Sequence, residues 1–253
     1  MSATPKSRNA AASRDSILAH AIDEFAAQGV AGARTANIAD AAKVNKALLY
    51  YYFKDKDSLY AACLHQVFRG LFETLQPMLA SAMSPGEKIL RFARIHFEYL
   101  LNNPHYPRLI HQELSRAASA GRPSREFGSI ATNHFAPMHR AGLSVVQQGI
   151  ESGEFRNIAA ANFLTAIVGM NAFYFISAPI MRITRGVDPF SPESVRKHIA
   201  HSLDFVGAAL FANRAYGIKL AKKIASAPTA LPTTATRARK SKRTLAKRAT
   251  HES

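Results

Sequence analysis

Residues 35 to 59, TANIADAAKVNKALLYYYFKDKDSL, concentrate hydroxyl, ammonium and carboxamide groups in a pattern suited to a phosphate backbone. Such groups donate to phosphate oxygens, while short side chains let a helix approach the floor of a DNA groove. Thr35 is placed to cap a helix with its hydroxyl. Ile38, Ala39 and Ala42 follow as an apolar stripe at helical intervals. Lys43-Val44-Asn45 interrupts the stripe as a turn, and Asn45 caps the helix that restarts at Lys46. Leu49 and Phe53 then face inward, leaving Lys46, Ala47 and Tyr51 outward. Two short helices joined by three residues have the geometry of a helix-turn-helix, which lays its second helix in the major groove.

Histidines are the other concentration of reactive groups. His96, His105, His111, His134 and His139 cluster in sequence with Tyr99, Tyr106, Glu113, Arg94 and Arg108. A metal site asks for two histidines three or four apart with a carboxylate. His134 and His139 are five apart, and His105 and His111 are six apart across a proline. No nucleophile elbow accompanies them. The expectation is therefore no metal, no cofactor and no catalytic residue. An apolar pocket with a few orienting polar groups suits these side chains better. His96, Tyr99, His111, Asn171 and Tyr174 are the candidates to line it, against the alternative that each is a satisfied core or interface residue.

Helices must position these groups. An amphipathic helix (Ile17, Leu18, Ala21, Ile22, Phe25) opens near Ser13 and stops at Gly29. Asp57 or Ser58 opens a long helix that breaks near Pro77. Ser84-Pro85-Gly86-Glu87 starts another, which Asn102-Asn103-Pro104 ends. Further helices are expected at about 107 to 118, from 124 to 150 with a division at Pro137, and at 159 to 178 and 192 to 213. No alternating strand pattern of useful length appears, so the fold class is all-α. The expected organisation is a polar arm (1–12), a DNA-binding domain (13–58), a helical effector-binding and dimerisation domain (59–214) and a disordered basic tail (215–253).

Composition narrows the setting. The chain has 253 residues, enough for one large or two small domains. Trp is absent and Cys63 is the lone cysteine, so no intramolecular disulfide forms, which fits a reducing cytoplasm. Cys63 sits at four-residue steps from Leu59, Val67 and Leu71 and reads as a buried structural thiol. The N-terminus lacks the apolar run of a signal peptide. The longest apolar region, around 163 to 181, is interrupted by Asn162, Asn171 and Pro179, so a membrane span is rejected. The net charge is +16, and from Gly217 onward ten lysines and arginines face one glutamate. That excess suggests salt-sensitive contact with DNA phosphates.

The run Thr35, Ile38-Ala39, Val44 and LYYYFKDKDSL (49–59) resembles the N-terminal domain of TetR/AcrR-type transcriptional regulators over about residues 13 to 60. Lys43 replaces a frequent Gly, and Asn45 a frequent Ser or Thr. Ser152-Gly153-Glu154-Phe155-Arg156 resembles the link before the penultimate helix of the same family. The resemblance implies phosphate contacts from Thr35, Asn45, Tyr51 and Lys56. It places Lys46, Ala47, Leu48 and Tyr50 at or near base edges. It also implies a homodimer, for which Phe163, Ile167, Met170, Ile199, Leu203, Val206 and Leu210 are the candidate interface. The expected function is a sequence-specific repressor released from its double-stranded operator by an unidentified small molecule. An architectural DNA-coating protein driven by the basic tail is the rival reading.

Overall fold

The computed structural model describes residues 5–229, with side chains from residue 11 onward. The arm at 1–4 and the tail beyond 229 lie outside the described residues. Twelve α-helices are described: α1 (Pro5–Gly32), α2 (Thr35–Ala42), α3 (Lys46–Tyr52), α4 (Lys56–Leu79), α5 (Pro85–Asn102), α6 (His105–Ala120), α7 (Arg125–Ile130), α8 (Ala136–Glu151), α9 (Ala160–Ile176), α10 (Ala178–Arg185), α11 (Pro192–Leu210) and α12 (Arg214–Ala225). No strand occurs among the described residues; the one isolated bridge joins Phe155 and Phe211.

Local chemistry sets most boundaries. Asn45 accepts from the Leu48 amide at 2.7 Å and Asp55 from the Ser58 amide at 2.7 Å, satisfying orphan donors at the starts of α3 and α4. Ser84, Ser124 and Ser191 do the same for α5, α7 and α11. Lys43 ends α2 in the left-handed region at φ 57°, which costs a non-glycine residue about 1 kcal/mol. At Gly29, φ is 68° and ψ 171°, so the regular part of α1 ends where the sequence places it.

Five elements differ from the sequence expectation. First, α1 begins at Pro5, so residues 5–12 continue the helix and do not form an arm. Arg34, not Thr35, occupies the N-cap of α2 and makes no side-chain cap bond; Thr35 is already helical. Third, α4 is capped by Asp55 and runs through Pro77 to Leu79. Finally, residues 178–185 form α10, where a loop was expected, and residues 214–225 form α12 inside the expected tail. Small residues hide α12 from a search for large apolar ones: only Gly217, Ala221 and Ile224 are buried on it.

The body packs around α5, whose Ile89, Leu90, Ala93, Phe97 and Leu100 are buried. Beside it lie α4, α8, α9, α11 and α12. On α4, Leu64, Phe68, Leu71 and Leu75 have almost no exposure. The expected division at Pro137 falls just upstream, in a π-helical turn (Ala131–Phe135) that joins α7 to α8. In the link after α8, Phe155 meets Phe211 edge-on at 5.3 Å, and Arg156 donates through its backbone to Leu210.

Helices α11 and α12 cross through two glycines. A Cβ on Gly217 would lie 2.4 Å from the Gly207 carbonyl oxygen and 2.7 Å from the Phe211 ring. Gly217→Ala is therefore expected to lower unfolding stability by about 2 kcal/mol, because backbone cannot yield as a flexible side chain does. Denaturant titration of the two proteins measures this. Equal stability would mean that the α11–α12 crossing is not closely packed in solution.

Candidate nucleic-acid interface

The first three helices form a small head around one shared core. Ile17, Leu18, Ala21 and Phe25 of α1 are buried against Ile38 and Ala39 of α2 and Leu49 of α3. Phe53, just past α3, is also buried, as the sequence suggests, and Arg14 lies 5.3 Å over its ring. Glu24 ties α1 to α2 by accepting from the Arg34 amide at 3.3 Å and the Asn37 carboxamide at 3.0 Å. With its inner face used in this way, α3 presents the other face outward.

Tyr51 is 81% exposed and Tyr50 is 44% exposed, high values for aromatic rings. Lys46 and Ala47 are also exposed, and Leu48 is half-buried. Six of the eight sequence candidates thus gather on or beside α3. Thr35 joins them, since its hydroxyl bonds the Tyr50 hydroxyl at 3.1 Å. Tyr52 is half-buried and supports Tyr51 edge-on at 5.4 Å. Two candidates have intramolecular duties as well. The Asn45 oxygen caps α3, and the Lys56 ammonium donates to the Ala31 carbonyl at 3.1 Å, bracing the start of α4 against the end of α1.

The five candidate pocket residues do not converge. His96 and Asn171 do meet: the Asn171 carboxamide lies 3.2 Å from His96 Nδ1 and donates to the Ala93 carbonyl at 2.8 Å. Tyr174 is nearby through Phe97, and its hydroxyl donates to the Pro189 carbonyl. Tyr99 faces the opposite helix, where its hydroxyl fills the space over Gly70 and donates to the Val67 carbonyl at 3.0 Å. His111 is exposed on α6 beside the head. A regular apolar spacing marks which face is buried but not which neighbour buries it.

The candidate dimer residues need a larger correction. Ile167, Ile199, Leu203, Val206 and Leu210 are at most 3% exposed within one chain. They belong to the chain's own core: α11 lies between α5 and α12, and α9, which carries Ile167, packs on α5. Phe163 and Met170 are half-buried and pack on that core. The exposed apolar surface lies on the other side of α9 and along α10: Val168, Phe173, Ile176, Ile180 and Ile183, with Phe205 on α11. The sequence signal for it was that α9 is apolar all round, more than one buried face requires. Among the described residues no single helix is long and apolar enough to cross a membrane, and α9 and α10 meet at a bend of 68°.

Two hollows border the body. One, of about 390 Å³, lies between α5 and α12 and is closed at one side by Arg94. That buried guanidinium pairs with Glu98 at 2.9 Å and donates to the carbonyls of Ile224, Ala227 and Pro228, so it caps the end of α12. The second, of about 350 Å³, separates the end of α1 from α6. No group of three or more metal-ligating side chains occurs among the described residues.

Comparison with known proteins adds identity to this geometry. Residues 17–63 match the family model "Bacterial regulatory proteins, tetR family", and residues 85–206 match "Tetracyclin repressor-like, C-terminal domain". The HTH-type transcriptional repressor KstR2 of Mycolicibacterium smegmatis is 27% identical over 146 residues, 58% of this chain and 69% of that protein. The HTH-type transcriptional regulator RutR of Escherichia coli is 34% identical over 115 residues, covering 45% and 53%. In structure, the ketosteroid transcriptional regulator KstR2 of Mycobacterium tuberculosis superposes with a TM-score of 0.61 at 20% identity, covering 79% of this chain and 95% of that one.

Burial in the body sets a pH limit. Burial holds the imidazole of His96 down to about 4 and, aided by the charge of His201, that of His198 to about 4. An unfolded chain takes up these protons from about pH 6.5 downward, before the folded one does. Stability is therefore expected to fall as pH drops from about 6.5 toward 4, by up to about 1.4 kcal/mol per pH unit for each histidine. Urea titrations across that range on the wild type and His96→Gln should differ in slope. Parallel curves would show that His96 carries a proton inside the fold.

Proposed function

The chain belongs to the tetR family of bacterial regulatory proteins and is a DNA-binding transcriptional regulator; from this we propose that it works as a homodimeric repressor, released from its operator by a small molecule. The exposed face of α3 carries the reading. Two tyrosine rings, a lysine and an alanine are exposed on a short helix whose opposite face is fixed in the core. Exposed apolar and aromatic surface of this kind belongs to an interaction site.

Lys46, Ala47, Leu48 and Tyr50 face base edges, with Ala47 and Leu48 suited to thymine methyls. Tyr51 and Thr35 offer hydroxyls to phosphates, and Asn45 and Lys56 stand at the same margins. Because Lys56 also braces α1, its loss alters the seating of the head as well as one phosphate contact. Pairing of two chains sets two reading helices one or more helical turns apart on a palindromic site. The surface best suited to pairing is the outer side of α9 with Phe205 of α11, since it is apolar and uncovered in the single chain. His96, Asn171 and Tyr174 remain the cluster from which the body could sense an effector. An effector then shifts DNA binding by its differential affinity for the two head separations.

Tyr51→Ala is expected to weaken binding to all duplexes about tenfold, the cost of one hydrogen bond to a charged phosphate. Leu48→Gln should instead change which operator sequence is preferred. Gel-shift titration against randomised duplexes separates the two. An unaltered preference for the Leu48 variant would remove that residue from the base-reading set.

Phe173→Glu should yield a folded monomer, because Phe173 is 66% exposed in the single chain. Leu203→Glu should unfold the chain, losing about 3 kcal/mol or more for a buried unpaired charge. Sedimentation velocity with circular dichroism reads both outcomes. A dimeric Phe173→Glu protein would place the interface elsewhere.

A further inference from the structure

The last described helix has a direction. Near the start of α12, Gly217 lies against Gly207 and Phe211, and Phe211 also covers Gly86 at the start of α5. The end of α12 lies at Arg94, partway along α5. The two helices therefore run the same way. That way is toward the head, because α5 leads into α6, whose His105 meets Asp23 of α1 at 3.0 Å.

Arg94 fixes where the chain leaves. Its buried guanidinium pairs with Glu98 at 2.9 Å and donates to the carbonyls of Ile224, Ala227 and Pro228 and to the Thr229 hydroxyl at 3.1 Å. Releasing those carbonyls would leave a buried charge short of acceptors, which is costly. The path is thus set as far as Thr229, beside α5 and pointing to the head.

Charge accumulates along this path. No acid occurs from Ala212 to Thr229. Lys219, Lys222 and Lys223 are exposed on α12, and among the described residues none of them pairs with a carboxylate. Residues 230–253 add seven lysines and arginines against Glu252 alone, with no Phe, Tyr or Trp. Cations without rings suit phosphates of any sequence and not the stacking of bases.

Length permits the contact. Helix α4, with 24 residues, spans about 36 Å from the head through the body, and α5 returns beside it. Residues 230–253 can span at most about 80 Å. Even from the far end of the body, that reach passes the head and continues along a duplex.

We infer that residues 230–253 form a second DNA contact, which holds phosphates of the duplex beyond the stretch covered by α3 while the head is bound. Each cation seated on a phosphate releases counterions, so the contact adds affinity at low salt. The choice of sequence stays with α3. This contact rests on the DNA binding of the family and on neither the pairing surface nor the effector.

The test uses the full chain with all seven lysines and arginines after residue 229 replaced (Arg237→Gln through Arg248→Gln). A control carries Lys219→Gln, Lys222→Gln and Lys223→Gln on α12. Fluorescence anisotropy follows binding to random-sequence duplexes of about 20 and about 60 bp, between about 50 and 200 mM salt. On the longer duplex, the tail variant should show a log affinity–log salt slope shallower by about 3 or more, at about 0.9 per lost phosphate contact. The shorter duplex should show less than half that change, and the control should stay within about one contact of the wild type. An unchanged slope on the longer duplex would leave the tail a solubilising extension. Equal losses on both duplexes, or in the control, would mean general attraction without a flanking contact. Phosphatidylglycerol vesicles that displace the longer duplex at equal phosphate would make a membrane surface the better partner. Tyr51→Ala keeps the two contacts distinct, since failure of α3 to touch DNA leaves its affinity at the wild-type value while the tail's slope persists.

Discussion

A single continuous helix carries the core of the head into the core of the body. On α4, Leu59, Tyr60 and Cys63 are buried near the head, and Leu64, Phe68, Leu71 and Leu75 continue the same buried stripe through the body. Breaking that helix would expose two cores at once, so α4 moves as a rod and not at a hinge. Pro77 does not interrupt it, because it falls in the last turn, where the helix ends two residues later. Any change in the body that tilts α4 must tilt the base of the head with it.

Polar bonds decide where such a tilt can begin. Three of them leave α5 for different neighbours: Tyr99 to the Val67 carbonyl on α4, the Ala93 carbonyl to Asn171 on α9, and Arg94 to the end of α12. The Asn171 bond is buried and the other two are part-buried, and a broken bond in such surroundings leaves a costly orphan group. The packed body therefore has few intermediate arrangements and tends to change by discrete steps. On the head side, Lys56 to Ala31 and Glu24 to Asn37 keep α1, α2 and the start of α4 in register.

Much of the head was legible in the sequence because its signals are local. Asn45 announced a cap and made one, and Leu49 and Phe53 announced an inner face and occupy it. Thr35 was misread by one position, since Arg34 takes the extended cap conformation and Glu24, ten residues upstream, satisfies the Arg34 amide. Periodicity gave the body's helices but not their neighbours. Ile199, Leu203 and Val206 have the same spacing whether they meet α5 or a second chain. The closely crossed glycines of α11 and α12 were invisible for the opposite reason, because a missing side chain leaves no apolar mark.

The π-helical turn at Ala131–Phe135 fixes a relation of phase. A π turn holds one more residue than the helix around it, and such a residue rotates everything beyond it by about 100°. Upstream, Phe127 and Ile130 point into the core, and downstream Val145 and Val146 do so too. The π turn absorbs the surplus residue, so that Phe127 with Ile130 and Val145 with Val146 are inward on either side of it. Forcing all five residues into α geometry would turn one of the two faces outward by about 100°, whereas deleting one of them would straighten the helix and leave both faces inward. The surplus residue is thus absorbed within a single turn, and the π geometry is what lets α7 and α8 keep a common inner face despite it.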